Sequence, residues 1–223
     1  MKVISALVTA VAQGHGGVLV IEGPPGIGKS RLLTEVMALA DKGGVRTLFG
    51  EAFEYQQTVP FFSLFMATLR ADPPVGDADA LRRLGSSADP RYWVVHDLAD
   101  AIRAVAAQTP LAIVLEDIHW ADNSTLLALR SLATARPDVA VLWVLTARTG
   151  AGGPALEETL SALQRADAAF VRVAAMVFSA SPSFCASFAS SDLRSASEAA
   201  LSFSRVSAPI ACARARAAAS SLS

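Results

Sequence analysis

Hydrophobic and polar residues form two alternating kinds of segment along most of the chain. Short apolar runs rich in β-branched residues predict buried strands, and longer segments with apolar residues every three to four positions predict helices. The predicted strands are residues 18–21, 45–49, 111–115, 139–145 and 169–173. The predicted helices are residues 30–39, 61–70, 92–107, 123–135 and 155–166, and residues 71–90 are predicted to include a loop. Strands that alternate with helices are typical of a parallel sheet covered by helices.

The composition of the chain changes near residue 174. The 223 residues are 52% hydrophobic with a formal net charge of −1, which is enough for one α/β domain and gives no support for nucleic acid as a main partner. We predict a core domain over residues 1–174 and a Ser/Ala-rich tail over residues 175–223 that is poorly ordered or aberrant. Cys185 and Cys212 lie in this tail. Their spacing indicates neither a metal site nor a disulfide framework.

Residues 23–30 read Gly-Pro-Pro-Gly-Ile-Gly-Lys-Ser, which is the G-x-x-x-x-G-K-[ST] spacing of a phosphate-binding loop. We expect backbone N–H groups to bind phosphate oxygens, Lys29 to reach the β- and γ-phosphates, and Ser30 to bind Mg²⁺. A chance match in a Gly/Pro-rich turn is the alternative, but the predicted strand before the loop and helix after it are the context that the motif requires. The predicted nucleotide-binding residues are Gly23, Pro24, Pro25, Gly26, Ile27, Gly28, Lys29, Ser30 and Arg31.

The most apolar predicted strand, residues 111–115, is followed by Glu116 and Asp117. An apolar strand that ends in two acids is the Walker B pattern. We expect Glu116 to hold Mg²⁺, through water, and Asp117 to orient or deprotonate the attacking water. Many strands end in a polar loop, so this interpretation depends on the phosphate loop upstream. Many related ATPases place Asp first and Glu second, and the reversed order here predicts that the roles could shift and that hydrolysis is slow.

The predicted strand over residues 139–145 ends at Thr146-Ala147-Arg148. In a parallel sheet this strand would lie between the strands of the phosphate loop and the paired acids, with its end near the γ-phosphate. Thr146 would then sense the phosphate or the attacking water, and Arg148 would act catalytically by pairing with the phosphate. A solvated arginine at a strand end is the alternative interpretation.

Four more residues have predicted structural roles. Asp122 is placed to cap the helix that follows it. Trp93 and Trp143 are predicted to lie in the core. His119 precedes Trp120, and a packing or capping role is favoured over catalysis.

Two segments are similar to membrane signals. Residues 1–12 resemble a weak signal peptide. An apolar-striped helix that leads into the first strand is the favoured alternative, because a protein with a nucleotide site belongs inside the cell. Residues 173–191 carry no charge but hold serines and Pro182, which makes them too polar for a membrane helix of about 20 apolar residues. We therefore predict a cytoplasmic protein without a membrane partner.

The phosphate loop and the phrase Leu-Glu-Asp-Ile-His-Trp-Ala-Asp over residues 115–122 resemble the AAA-type ATPase domain of STAND-class P-loop NTPases. This class includes the large ATP-binding regulators of the LuxR family in bacteria. Gly50-Glu51-Ala52, residues 59–61 and the strand that ends at residues 146–148 are also similar to that family. The resemblance covers roughly residues 5–173.

The resemblance implies a three-layer α/β sandwich, the P-loop NTPase fold, with about five parallel strands in the order 5-1-4-3-2. It implies ATP and Mg²⁺ as ligands and a nucleotide-driven switch that controls an output domain. It would make Lys29 and Ser30 ligands of the phosphates and metal, Glu116 and Asp117 the Walker B acids, and Arg148 a sensor.

Several family features are not recognisable in this chain: the stretch that holds adenine, the helical lid and winged helix, the sensor repeats and the DNA-binding module. We therefore expect truncation at both ends, a frameshift or a fragment. The sequence predicts an ATP-binding switch domain of a signalling or transcription regulator and leaves open whether ATP is hydrolysed. Without a lid, turnover would be weak, unless self-association supplies an arginine from a neighbouring subunit. The alternatives are a non-hydrolytic ATP-binding module and a decayed remnant.

Overall fold

The computed structural model describes residues 2–76, 90–134 and 139–173. The chain divides into two units, Met1–Ala175 and Met176–Ser223, and every described residue belongs to the first. The predicted tail over residues 175–223 and most of the predicted loop over residues 71–90 lie outside the described residues. The division into a core domain and a tail therefore stays a prediction.

Five strands form one parallel sheet. They are β1 (Gly17–Gly23), β2 (Arg46–Glu51), β3 (Leu111–Glu116), β4 (Val141–Arg148) and β5 (Ala169–Arg172). The order across the sheet is β2-β3-β4-β1-β5, and every pairing is parallel. This is the predicted order 5-1-4-3-2, which is confirmed. It brings the carboxyl ends of β1, β3 and β4 to neighbouring positions on one edge of the sheet, where parallel α/β folds bind ligands.

Within the described residues, six helices cover the two faces of the sheet. They are α1 (Lys2–Ala12), α2 (Lys29–Lys42), α3 (Phe62–Leu69), α4 (Pro90–Ala106), α5 (Asn123–Thr134) and α6 (Pro154–Arg165). Two single turns of 3-10 helix, Glu54–Gln56 and Ile118–Trp120, follow β2 and β3. The predicted strands and helices are all present, and their boundaries agree within three residues.

The core lies in two layers, one on each face of the sheet. Successive side chains of a strand point to opposite faces. Val18 and Val20 of β1 accordingly pack into the cluster formed with α3, α4, α5 and α6. Leu19 and Ile21 pack on the other side, into the cluster formed with α1 and α2. This is the predicted three-layer sandwich.

The prediction for one tryptophan is wrong. Trp143 of β4 is buried at 4% exposure, but Trp93 of α4 is 59% exposed. The core-facing residues of α4 are Val94, Leu98 and Ile102, which are spaced by one helical turn. Because each residue advances roughly 100° around a helix, position 93 lies away from that stripe. Of the helices that the structure describes, none has the length and apolar character needed to cross a membrane.

Candidate functional site

The phosphate loop joins the end of β1 to the start of α2 through two glycines in left-handed backbone conformations. Gly26 has φ 73° and Gly28 has φ 99°, a region that side-chain-bearing residues adopt only with strain. A Cβ on Gly23 would lie 2.7 Å from the backbone oxygen of Val173, so glycine is also required there by packing. Gly28 is the residue before α2 and has no side chain that could cap this helix end. The first N–H groups of α2 therefore lie at a helix end suited to an anion.

Lys29 folds back over the loop. Its side chain is buried at 8% exposure, and its Nζ donates to the backbone oxygens of Gly23 and Pro24 at 3.1 Å each. The ammonium group is therefore held at the mouth of the loop. Of the other predicted nucleotide-binding residues, Ile27 is half-buried, and the exposed ones are Pro24, Pro25, Gly26, Gly28, Ser30 and Arg31.

A short hydrogen bond joins the phosphate loop to the acids after β3. The hydroxyl of Ser30 donates to Oε1 of Glu116 at 2.5 Å, although the two residues are 86 positions apart in the chain. A hydrogen bond to a carboxylate is stronger than one between neutral groups. Hydroxyl and carboxylate oxygens are also hard ligands of the kind that Mg²⁺ prefers. The two residues predicted to bind the metal are thus brought together, and their side-chain oxygens are suitable ligands for Mg²⁺.

Asp117 sits in a strained turn that β4 holds in place. Its backbone is left-handed, with φ 54° and ψ 45°, which costs a non-glycine residue of the order of 1–2 kcal/mol. Its N–H donates to Oγ1 of Thr146 at 2.9 Å, and Thr146 is fully buried. The hydroxyl that was predicted to sense phosphate therefore accepts a hydrogen bond from the second acid's backbone. The Asp117 side chain remains 32% exposed.

Arg148 ends β4 at the level of Gly23 in the register of β4 against β1. Its Nε is buried and has no hydrogen-bond partner among the residues that the structure describes. This burial is unlike a solvated strand-end arginine, and it favours the interpretation that Arg148 belongs to the site.

His119 lies directly beneath the acids. Its side chain is 1% exposed, its Nδ1 is 3.8 Å from Oδ1 of Asp117, and its ring centroid is 5.0 Å from that of Trp120. Burial lowers the pKa of His119, the charges of Arg148 and Lys29 lower it further, and the Asp117 carboxylate opposes the shift. The imidazole is therefore neutral at pH 7. The packing contact with Trp120 is as predicted.

Asp122 connects three segments below the site. Its Oδ1 accepts hydrogen bonds from the backbone N–H groups of Thr125 at 2.9 Å and Phe61 at 3.1 Å, and its Oδ2 accepts one from Oγ1 of Thr125 at 2.6 Å. The predicted cap at the start of α5 is thus present. The bond to Phe61 additionally fixes the turn that leads into α3.

Glu51 is a third acid at the site, and sequence reasoning did not nominate it. It ends β2 opposite Glu116 in the β2–β3 register and is half-buried. Burial raises the pKa of Glu51, and the nearby carboxylates of Glu116 and Asp117 raise it further. Its position just after a predicted strand could have marked Glu51 as a site residue. Only the order of the strands, however, makes Glu51 a neighbour of Glu116.

A sequence model of the AAA ATPase domain matches residues 1–144 of the chain. The chain belongs to the AAA ATPase domain family. It is a nucleotide-binding ATPase module, and the family implies a nucleotide, typically with Mg²⁺. The phosphate loop, the acids after β3 and the start of β4 all lie inside the matched range.

This AAA ATPase domain is also similar to particular proteins. An uncharacterized protein of Rhizobium meliloti (strain 1021) is 30% identical over 182 residues, which cover 66% of this chain and 18% of the relative. The chain therefore matches less than a fifth of that relative's length. Among solved structures, the Aeropyrum pernix ORC2 protein (ADPNP-ADP complexes) has a TM-score of 0.53 at 14% identity, over 78% of this chain and 46% of that chain. Drosophila ORC bound to DNA has a TM-score of 0.47 at 10% identity, over 78% and 89%. At these identities the likeness to the Aeropyrum protein shows the fold.

Proposed function

We propose that this AAA ATPase domain binds ATP with Mg²⁺ and hydrolyses it slowly. The observation that carries the proposal is the hydrogen bond between Ser30 and Glu116. It supports the proposal because the helix after the phosphate loop and the end of β3 meet there, with a hydroxyl oxygen and a carboxylate oxygen facing each other. In such a site, a metal ion held by these two side chains would neutralise the charge of the phosphates.

The positions of the other site residues suggest their roles in binding and hydrolysis. The N–H groups from Gly26 onward would bind phosphate oxygens, and Lys29 would exchange its backbone acceptors for phosphate oxygens. The Asp117 carboxylate is partly exposed and follows Glu116 directly in the chain, and it would orient the attacking water. Arg148 carries a buried donor without a described partner, which would stabilise charge on the γ-phosphate.

The domain would act as the nucleotide switch of a larger regulator. Support comes from the relative that the chain matches over 18% of its length and from the resemblance of the acid-rich phrase over residues 115–122 to STAND-class regulators of the LuxR family. We place this regulator in the cytoplasm and propose self-association through the ATPase domain. Other parts of such a protein would carry the output, since no DNA-binding module is recognisable in this chain.

Calorimetric titration of the full chain with Mg·ATP tests nucleotide binding. Lys29→Ala is expected to weaken binding at least about tenfold, because a lysine–phosphate contact of about 1.4 kcal/mol or more is lost. Lys42→Ala is the matched control, because Lys42 is an exposed lysine at the far end of the same helix. Equal binding by both variants would exclude the proposed phosphate site.

Turnover assays separate hydrolysis from binding alone. Asp117→Asn should retain Mg·ATP binding and keep only a small, measurable fraction of turnover, whereas Glu116→Gln should lose turnover and also weaken the Mg²⁺ dependence of binding. An equal Mg²⁺ dependence of ATP binding in the two variants would contradict the assigned roles. Tight binding by the wild type with no turnover would favour the non-hydrolytic ATP-binding module.

A further inference from the structure

His119 carries two unsatisfied polar atoms in the interior of the site. Both ring nitrogens are buried and have no hydrogen-bond partner among the residues that the structure describes. A buried donor or acceptor without a partner costs about 1–3 kcal/mol, and buried polar side chains are normally bonded. The imidazole of His119 is only 1% exposed. We therefore expect it to gain a hydrogen-bond partner in another state of the site.

The neighbouring group with the required chemistry is Asp117. Nδ1 of His119 and Oδ1 of Asp117 are 3.8 Å apart, about 1 Å beyond a normal hydrogen bond. The backbone of Asp117 is held by Thr146, so the remaining freedom is rotation of its carboxylate. Closing the gap therefore requires a change in the side-chain torsions of Asp117.

The protonation of the ring is compatible with this contact. A neutral imidazole has one donor and one acceptor nitrogen. If Nδ1 donates to a carboxylate, Nε2 becomes the acceptor. A neutral ring protonated at Nδ1 can therefore donate to the Asp117 carboxylate without taking up a further proton.

We propose that His119 is a positioning residue whose Nδ1–H donates to Oδ1 of Asp117 when the nucleotide is bound. The hydrogen bond fixes the carboxylate so that its second oxygen stays on the exposed side, where it orients the attacking water. His119 does not exchange a proton with the substrate. This inference rests on the proposed role of Asp117 in hydrolysis.

Nitrogen-15 NMR of the ring tests the tautomer independently of turnover. The full chain contains three histidines, so the His119 signals are assigned as those that disappear in His119→Asn. The spectrum is recorded for the free protein and with Mg²⁺ and a non-hydrolysable ATP analogue. We expect a neutral ring protonated at Nδ1, with a shift of that signal on adding the analogue that is absent in Asp117→Asn. A ring protonated at Nε2 in both states would overturn the proposal.

Kinetics test the consequence for catalysis. His119→Leu removes the donor and keeps an apolar side chain, whereas the amide of His119→Asn retains a donor close to the position of Nδ1. We expect the leucine variant to lower kcat at least about tenfold, as a misplaced catalytic group does, with KM for ATP unchanged, and the asparagine variant to restore most of kcat. His96→Leu, an exposed histidine of α4, is the control.

A double-mutant cycle separates positioning from packing. If His119 acts through Asp117, adding His119→Leu to Asp117→Asn causes no further loss of kcat. Equal kcat in His119→Leu and the wild type, with only a lower thermal stability, would show a packing role and refute the proposal. A wild type without any turnover would instead contradict the proposed hydrolysis, and the ring tautomer would still decide the contact.

Discussion

Replacing Asp122 by alanine should destabilise the domain more than any single change at the exposed surface. The Asp122 carboxylate is 6% exposed and accepts three hydrogen bonds, two from Thr125 and one from the backbone of Phe61. Phe61 is itself buried at 1% exposure and precedes α3. Asp122 therefore joins two helices whose sequences lie 61 positions apart.

The expected loss follows from these three contacts. Loss of a helix cap costs typically about 1 kcal/mol. The amide of Phe61 is then left buried without an acceptor, which costs about 1–3 kcal/mol, while the Thr125 hydroxyl can rotate toward another acceptor. We expect a loss of about 3 kcal/mol in the free energy of unfolding. For a domain of this size that corresponds to a decrease in Tm of about 6–12 °C.

Urea unfolding followed by tryptophan fluorescence measures this loss. Asp122→Asn keeps the oxygen that accepts from both amides, so it should cost only about 1 kcal/mol, mainly through the lost charge at the helix N-terminus. Asp41→Ala, an exposed aspartate of α2, should change stability by less than about 0.5 kcal/mol. If Asp122→Ala cost no more than Asp41→Ala, the assignment of Asp122 as a structural clamp would be refuted.

Three other changes test the surroundings of the site. Gly50→Ala should destabilise the domain by at least about 2 kcal/mol, because the new Cβ would lie 2.1 Å from a backbone oxygen of α3; unchanged urea unfolding would contradict this packing. Burial raises the pKa of Glu51, and the carboxylates of Glu116 and Asp117 raise it further. The pKa of Glu51 is therefore higher in the folded than in the unfolded state, so the free energy of unfolding falls as the pH rises from the unfolded to the folded pKa. Glu51→Gln should therefore be more stable than the wild type at pH 7, with a difference that vanishes near pH 4; a difference independent of pH would contradict this. Thr146→Val leaves the Asp117 amide without its acceptor and should lower stability by about 1–3 kcal/mol and turnover with it, whereas Thr146→Ser should retain both.

The layers of the fold could be predicted from local patterns because the central strands of the sheet are almost continuously apolar. β3 and β4 are buried on both faces, which produces the continuous runs typical of central parallel strands. Glycine at the phosphate loop was equally readable, since its spacing reflects a backbone requirement. Trp93 was placed wrongly because a large aromatic side chain favours burial, although the one-turn spacing of Val94, Leu98 and Ile102 puts position 93 off the buried stripe of α4.

Contacts between segments that are distant in the sequence could not be predicted from local patterns. Glu51 became a neighbour of Glu116 only through the order and register of β2 and β3. Thr146 was nominated as a phosphate sensor from its position, but hydrogen bonding to the backbone of Asp117 depends on the conformation of a turn after another strand. The contacts of Glu51 and Thr146 join separate strands, so no spacing within one segment encodes them.

The phrase from Glu116 to Asp122 shows why this part of the chain was the most specific sequence signal. Seven consecutive residues meet two separate demands. Glu116 and Asp117 present carboxylates at the sheet edge, whereas Asp122 faces inward and holds α5 against the start of α3. His119 lies between the two groups, buried on the side of Asp117. This turn must place two acids outward at one end and one acid inward at the other, so few other residues suit these positions. The sequence of the turn is therefore specific for structural as well as chemical reasons.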